Sequence, residues 1–191
     1  MRGYLLYHKS AQDKNGYTSD FYGYDPYVWS VPYLWSFCHM GQHPHVEPGT
    51  VILWLTRVQG EPQFCCDLVF IVDKVFSLEE ARQSYAPHED MPLARSHFQR
   101  GLNEHGEKAK NNHTYIANMN ESYIPHPAVP IQNEVDRELK IARPRVGPLS
   151  RSWQEGMFTP MISFEVIDGL VQFVAAHAQH KEQRALPYAE M

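Results

Sequence analysis

The stretch "SFCHMGQHPHVEPGTVILWLTR", residues 36–57, sets one cysteine and three histidines directly ahead of a dense apolar run. Cys38, His39, His43 and His45 are donor types that zinc accepts, and His39 and His43 have the i, i+4 spacing of helical ligand pairs. Gly41 and Pro44 break a helix there, so that spacing loses its geometric meaning. No C-x-x-C or H-E-x-x-H supplies the rest of a ligand set, and the adjacent Cys65 and Cys66 cannot easily chelate one ion together. The sequence therefore predicts no metal and no cofactor, and these histidines read as loop residues before a strand. Cys38 and His39 do not make a nucleophile–base dyad either, because neighbouring side chains on a strand face opposite ways. A base would have to come from a remote histidine such as His97 or His113. The acyl-hydrolase, P-loop and dinucleotide fingerprints are all absent.

What the segment does offer is rings beside hydrogen-bonding groups. Tyr22, Tyr24, Tyr27, Trp29, Tyr33, Trp35 and Phe37 crowd the loop that ends in Ser36, Cys38 and His39. Stacking faces next to polar edges are how proteins hold a planar, unstacked base. The plainer reading is that most of these rings are core, since burying aromatic area drives folding.

The elements that would position such a site are legible in part. Gly3–His8 reads as a strand, and Asn15-Gly16 marks a turn. Residues 17–35 read as a long aromatic loop. Pro48-Gly49 turns the chain into a buried strand over Val51–Leu55. Leu68–Val72 gives a second strand, and the polar break at 58–62 makes the two an antiparallel hairpin. Ser77 and Glu80 form a capping box that opens a helix over Ser77–Tyr85. "HTYIAN", residues 113–118, suggests a further strand, and "NEVDRELKIA", residues 133–142, a helix stopped by Arg143-Pro144. For the C-terminal segment Thr159 and Pro160 predict a helix start. Phe164, Ile167, Val171, Val174 and Ala178 recur at helical spacing. Asp168-Gly169 keeps a hairpin open as the alternative.

The chain has 191 residues, a size for one domain, and a net charge of −5, which argues against a general DNA-coating surface. Charge is uneven: acids outnumber bases twelve to six between Glu61 and Asp136, whereas Arg137–Arg151 holds five bases and one acid. Arg143 and Arg145 in that strip are candidates for phosphate, although a charge run is commonly just a solvated connector. Three cysteines, two of them adjacent, do not make a disulfide framework. With no signal-like or membrane-spanning segment, the expectation is a cytoplasmic protein with reduced thiols and no membrane partner.

"VEPGTVILWLTR…FCCDLVFIVDKVFSLEEA" resembles the PUA-like superfamily, in which the ASCH, EVE and nucleotide-modification-associated domains are grouped. The resemblance spans about residues 36–125: a Pro-Gly turn at Pro48-Gly49, strands at Val51–Leu55 and Leu68–Val75, and a helix at Ser77–Tyr85. Where these domains usually carry an acid after the turn glycine, this chain has Thr50. The resemblance implies an α+β fold, a small bent mixed β-barrel with flanking helices. A C-terminal helical extension over about 134–185 completes a single domain over 1–191. It also implies recognition of a nucleotide, or of a modified base in DNA or RNA, in a cleft beside the barrel. By position, the ligand would meet Trp35, Ser36, Cys38, His39, Trp54, Thr56 and Arg57. Trp35 or Trp54 would stack on the base, Ser36 and His39 would read its edges, and Arg57 with Arg143 or Arg145 would meet phosphate. The alternatives are an enzyme acting on nucleotides through His39 and Cys38, and a protein–protein adaptor.

Overall fold

The computed structural model describes residues 2–7, 12–13, 16–17, 36–37, 46–56, 63–77, 80, 83, 113–142 and 162–182. Within them lie strands β1 (Arg2–Tyr7), β2 (Gln12–Asp13), β3 (Gly16–Tyr17), β4 (Ser36–Phe37), β5 (Val51–Thr56), β6 (Cys65–Ser77), β7 (His113–Ala117), β8 (Ile124–His126), β9 (Val129–Pro130), β10 (Ile162–Ser163) and β11 (His180–Glu182). Two helices are described in full, α1 (Gln132–Ala142) and α2 (Phe164–His177). The architecture is mixed α+β. The main sheet runs in the order β10-β1-β5-β6-β7-β4, with β9 also pairing β6. Among the described residues this sheet is open from β10 to β4.

The turn Glu47–Thr50 sets the sheet going. Gly49 has φ 85, the left-handed value that a Pro-Gly type II turn requires at its third position. The Thr50 amide donates to the Glu47 carbonyl at 2.9 Å, and the Glu47 amide donates to the Thr50 hydroxyl at 3.0 Å. Thr50 thus locks the turn from inside. β5 then runs parallel to β1 and antiparallel to β6. All six of its residues are buried, as a strand flanked on both edges and covered on both faces must be.

Period-2 alternation sorts the core into two clusters. Tyr4, Leu6, Ile52, Trp54, Leu68, Phe70, Val72 and Tyr115 face one way. Leu5, Val51, Leu53, Leu55, Cys66 and Val69 face the other, where they meet Val135 of α1 and Ile167, Leu170 and Val174 of α2. The Phe64 carbonyl accepts from the Ile131 and Gln132 amides, and its own amide donates to the Gln132 side chain, fixing α1 to the start of β6.

The expected hairpin of residues 51–55 with 68–72 is present, although β6 is longer at both ends. β2 and β3 pair antiparallel, Gln12 with Tyr17 and Asp13 with Gly16. The capping box forms: the Ser77 amide donates to Glu80 Oε2 at 2.8 Å, and the Glu80 amide to Ser77 Oγ at 3.2 Å. These bonds hold the Glu80 carboxyl below its usual range. The C-terminal helix starts later than its sequence signals indicate. Ser163, not Thr159, is the N-cap, because Ile162 and Ser163 are taken as a strand against Gly3 and Arg2. Asp168-Gly169 lies inside α2, so the hairpin alternative is excluded. The buried stripe is Ile167, Leu170 and Val174, while Phe164 stands 37% exposed.

The closest approach of α2 to the sheet is at Gly3. A Cβ there would come within 3.0 Å of three side-chain carbons of Ile167. Gly3→Ala should therefore destabilise the fold by about 1–3 kcal/mol in denaturant titration. Ile167→Ala, which removes the crowding Cγ1 and Cγ2, should cost less in the Gly3→Ala background than in wild type.

Candidate functional site

Of the residues with an expected role, Trp54 and Thr56 are placed with their side chains, and Ser36 by its backbone. Trp35, Cys38, His39, Arg57, Arg143 and Arg145 lie outside the described residues, as do His43 and His45. The register separates Ser36 from Thr56. Ser36 pairs Ile116, which pairs Lys74, whereas Thr56 pairs Cys65. Those two points on β6 are nine residues apart, about 30 Å of extended strand. The two do not form one lip. Trp54 is 1% exposed within the first cluster, so its ring is a wall of the core and presents no open stacking face.

A different polar set gathers around Thr56. The pairing of β5 with β6 slips between Trp54 and Leu55: Trp54 faces Leu68 and Leu55 faces Cys66, which leaves Asp67 as an extra, bulged residue. Cys66 points into the second cluster and Leu68 into the first. Asp67 is the bulged residue between them. Both Asp67 and Thr56 are fully buried. The Thr56 hydroxyl oxygen has no hydrogen-bond partner. A carboxylate taken out of water is among the costliest groups a sheet can hold.

The far edge of β6 brings one more polar residue to this end. Cys66 pairs Val129, and Val69 bridges Tyr123, so residues 124–128 run past Asp67 and Leu68. Ile124 belongs to the first cluster, and His126, two residues on, shares its face. Acid, hydroxyl and imidazole thus belong to the same end of the β5–β6 pair.

The thiols are a separate matter. Burial pushes the Cys66 thiol well up, with the Asp67 charge adding to the effect. Its S–H donates to the Leu68 carbonyl at 3.5 Å across the bulge. Cys66 is a structural thiol and not a nucleophile. Tyr123 also moves up, by burial first and then by Cys66, and its hydroxyl donates to the Val171 carbonyl of α2 at 3.5 Å. Cys65 and Cys66 are both buried thiols outside any disulfide.

Asp67 and His126 were not among the expected site residues. Asp67 left a signal in the sequence, a lone charge inside the apolar run "FCCDLVFIV". His126 left none, because its place depends on the partner strand. Among the described residues no group of three or more histidines, cysteines or acids is placed to hold a metal, and no helix is long and apolar enough to cross a membrane. No family model, curated protein or solved structure matches the chain.

The raised Cys66 thiol has a consequence at alkaline pH. Above its ordinary value of 9.0 the unfolded chain loses this proton while the folded protein keeps it. The unfolded state then binds fewer protons, so stability falls as pH rises, by up to about 1.4 kcal/mol per unit. Denaturation midpoints for wild type and Cys66→Ala between pH 8 and pH 10 (a window set by the thiol's ordinary range) should show the steeper decline in wild type only.

Proposed function

We propose that the chain is a PUA-like recognition module that binds a nucleotide, or a modified base in DNA or RNA, at the Thr56–Asp67 end of the β5–β6 pair. In this reading the open sheet curls into the small bent barrel of that superfamily, and its two bulges supply the bending. The observation that carries the proposal is the burial of Asp67 and Thr56 together at this end of the pair. A buried carboxylate accepts hydrogen bonds from ring N–H and exocyclic amino groups, the donors of a base edge. A hydroxyl can donate or accept, and suits the carbonyl or ring nitrogen beside them. Arg57, the next residue after β5, and Arg143 and Arg145, which follow α1, supply charges for phosphate. Trp54 closes the site as a wall instead of stacking, and the stacking role passes to Trp35 or another ring of the aromatic loop.

The test is titration of the native tryptophan fluorescence with nucleotides and with short oligonucleotides of plain and modified bases. Wild type should respond to some bases and not others. Asp67→Asn should weaken the response about tenfold, as loss of a charge-assisted hydrogen bond does. Thr56→Val should weaken binding while leaving the thermal midpoint close to wild type, because the hydroxyl satisfies nothing inside the fold. Arg143→Ala with Arg145→Ala should flatten the dependence of affinity on salt. A panel without any response, or a response untouched by Asp67→Asn, would sink the reading.

A further inference from the structure

At the other end of the chain, β11 folds back on β8 with His180 opposite His126 and Glu182 opposite Ile124. Residues directly opposed in an antiparallel pair project to the same face, with Cβ atoms about 4.5–5.5 Å apart. The two imidazole rings accordingly meet, their centroids 4.7 Å apart and their planes inclined at 41°. Nothing in the proposed nucleotide site uses His180. We propose that His126 and His180 form a two-imidazole site for a late first-row divalent cation such as Ni²⁺, Cu²⁺ or Zn²⁺.

The spacing suits that chemistry. With metal–nitrogen bonds of about 2.1 Å, each ring centroid lies about 3.2 Å from a bound ion. With a nitrogen of each ring directed at one ion, centroids 4.7 Å apart would close an N–metal–N angle of about 95°, near the right angle of tetragonal or octahedral geometry. That angle favours Ni²⁺ and Cu²⁺ over strictly tetrahedral zinc. The flanking charge is turned elsewhere: the Lys181 ammonium sits on the opposite face of β11, 4.8 Å over the Tyr123 ring. His177, at the end of α2, is engaged separately. Its Nδ1 lies 2.8 Å from the Phe173 carbonyl and its ring stacks on Phe173 at 4.0 Å. Among the described residues the site has two protein ligands, and water would fill the positions these leave. His180 is exposed, so the ion enters from solvent and exchanges. Once bound it ties β11 to β8 and, through them, the end of α2 to the edge of the sheet. An ion that binds only this folded arrangement raises its stability.

The experiment compares wild type, His180→Ala and His126→Gln by calorimetric titration with NiCl2 and by thermal melting with and without it, using MgCl2 as the oxygen-preferring control. The full chain carries other histidines, so the quantity read is the difference between proteins. Wild type should bind one Ni²⁺ equivalent that each variant lacks or binds about tenfold or more weakly. Its melting temperature should rise with Ni²⁺ more than that of His180→Ala, and Mg²⁺ should do nothing. Because His126 is half-buried and its variant can misfold, exposed His180 carries the decision. In wild type, paramagnetic Ni²⁺ at sub-stoichiometric ratio should broaden the His126 and His180 ring signals before those of other histidines. Equal stoichiometry and affinity in wild type and His180→Ala would overturn the proposal, as would ring signals of the pair that survive a full equivalent.

Discussion

The antiparallel pairing of Val51–Thr56 with Cys65–Ile71 is the constraint on which everything else rests. A strand buried on both faces and both edges has no water to satisfy its amides and carbonyls, so its neighbours must. β1 and β6 do this for β5. Their side chains then divide between two clusters, and each cluster needs a cover. On the Val51–Leu53–Leu55 side that cover is α1 and α2. This explains why α2 approaches the sheet as far as Gly3 allows, and why Ile162 and Ser163 are drawn in as a strand before the helix starts. On the Ile52–Trp54 side, Val46, Ile124, Val75 and Met119 contribute, and no described helix packs there.

β6 is where the regular pattern gives way, twice. Register slips leave Asp67 unmatched opposite β5 and Asp73 unmatched opposite β7. The residue type is the same and the outcome opposite, for Asp73 is exposed and Asp67 fully buried. A bulge at a bend facing water needs only a polar residue with turn tolerance, and aspartate serves. A bulge in the middle of a two-sided core needs no charge at all; an apolar residue there would fold as well or better. Its burial at the bulge, beside the buried Thr56, is what the functional reading starts from.

Much of the scaffold was legible because its signals were local or periodic. Pro48-Gly49 announced the turn, the apolar run announced β5, and Ser77 with Glu80 announced a cap that forms as read. α1 came through as a helix from its pattern. The start of α2 did not, since Thr159-Pro160 is a sound helix opener in isolation. Pairing of Ile162 and Ser163 with Gly3 and Arg2 is a long-range fact that overrides it. Asp168-Gly169 is likewise a sound turn signal that loses to the buried stripe of Ile167, Leu170 and Val174. Of the candidate site residues, Thr56 is the one that recurs in the polar set at this end of the sheet. The ring of Trp54 lies inside, where strand alternation puts it. The resemblance groups Ser36 with Thr56 by position, and the sheet register sets them nine residues of β6 apart. His126 could not be found without the register of β8 against β6.

Among the described residues one face of the sheet carries the helices, and neither α1 nor α2 packs on the other. Such a division has a physical basis. The helix-covered side must be dry and close-packed to hold β5, and a ligand that parted α2 from the sheet would expose Ile167, Leu170 and Val174 at about 1.5–3 kcal/mol each. Thr56 follows Trp54 by two residues and so shares its side, away from the helices. Its hydroxyl has no hydrogen-bond partner, so a ligand that reaches it need not part α2 from the sheet.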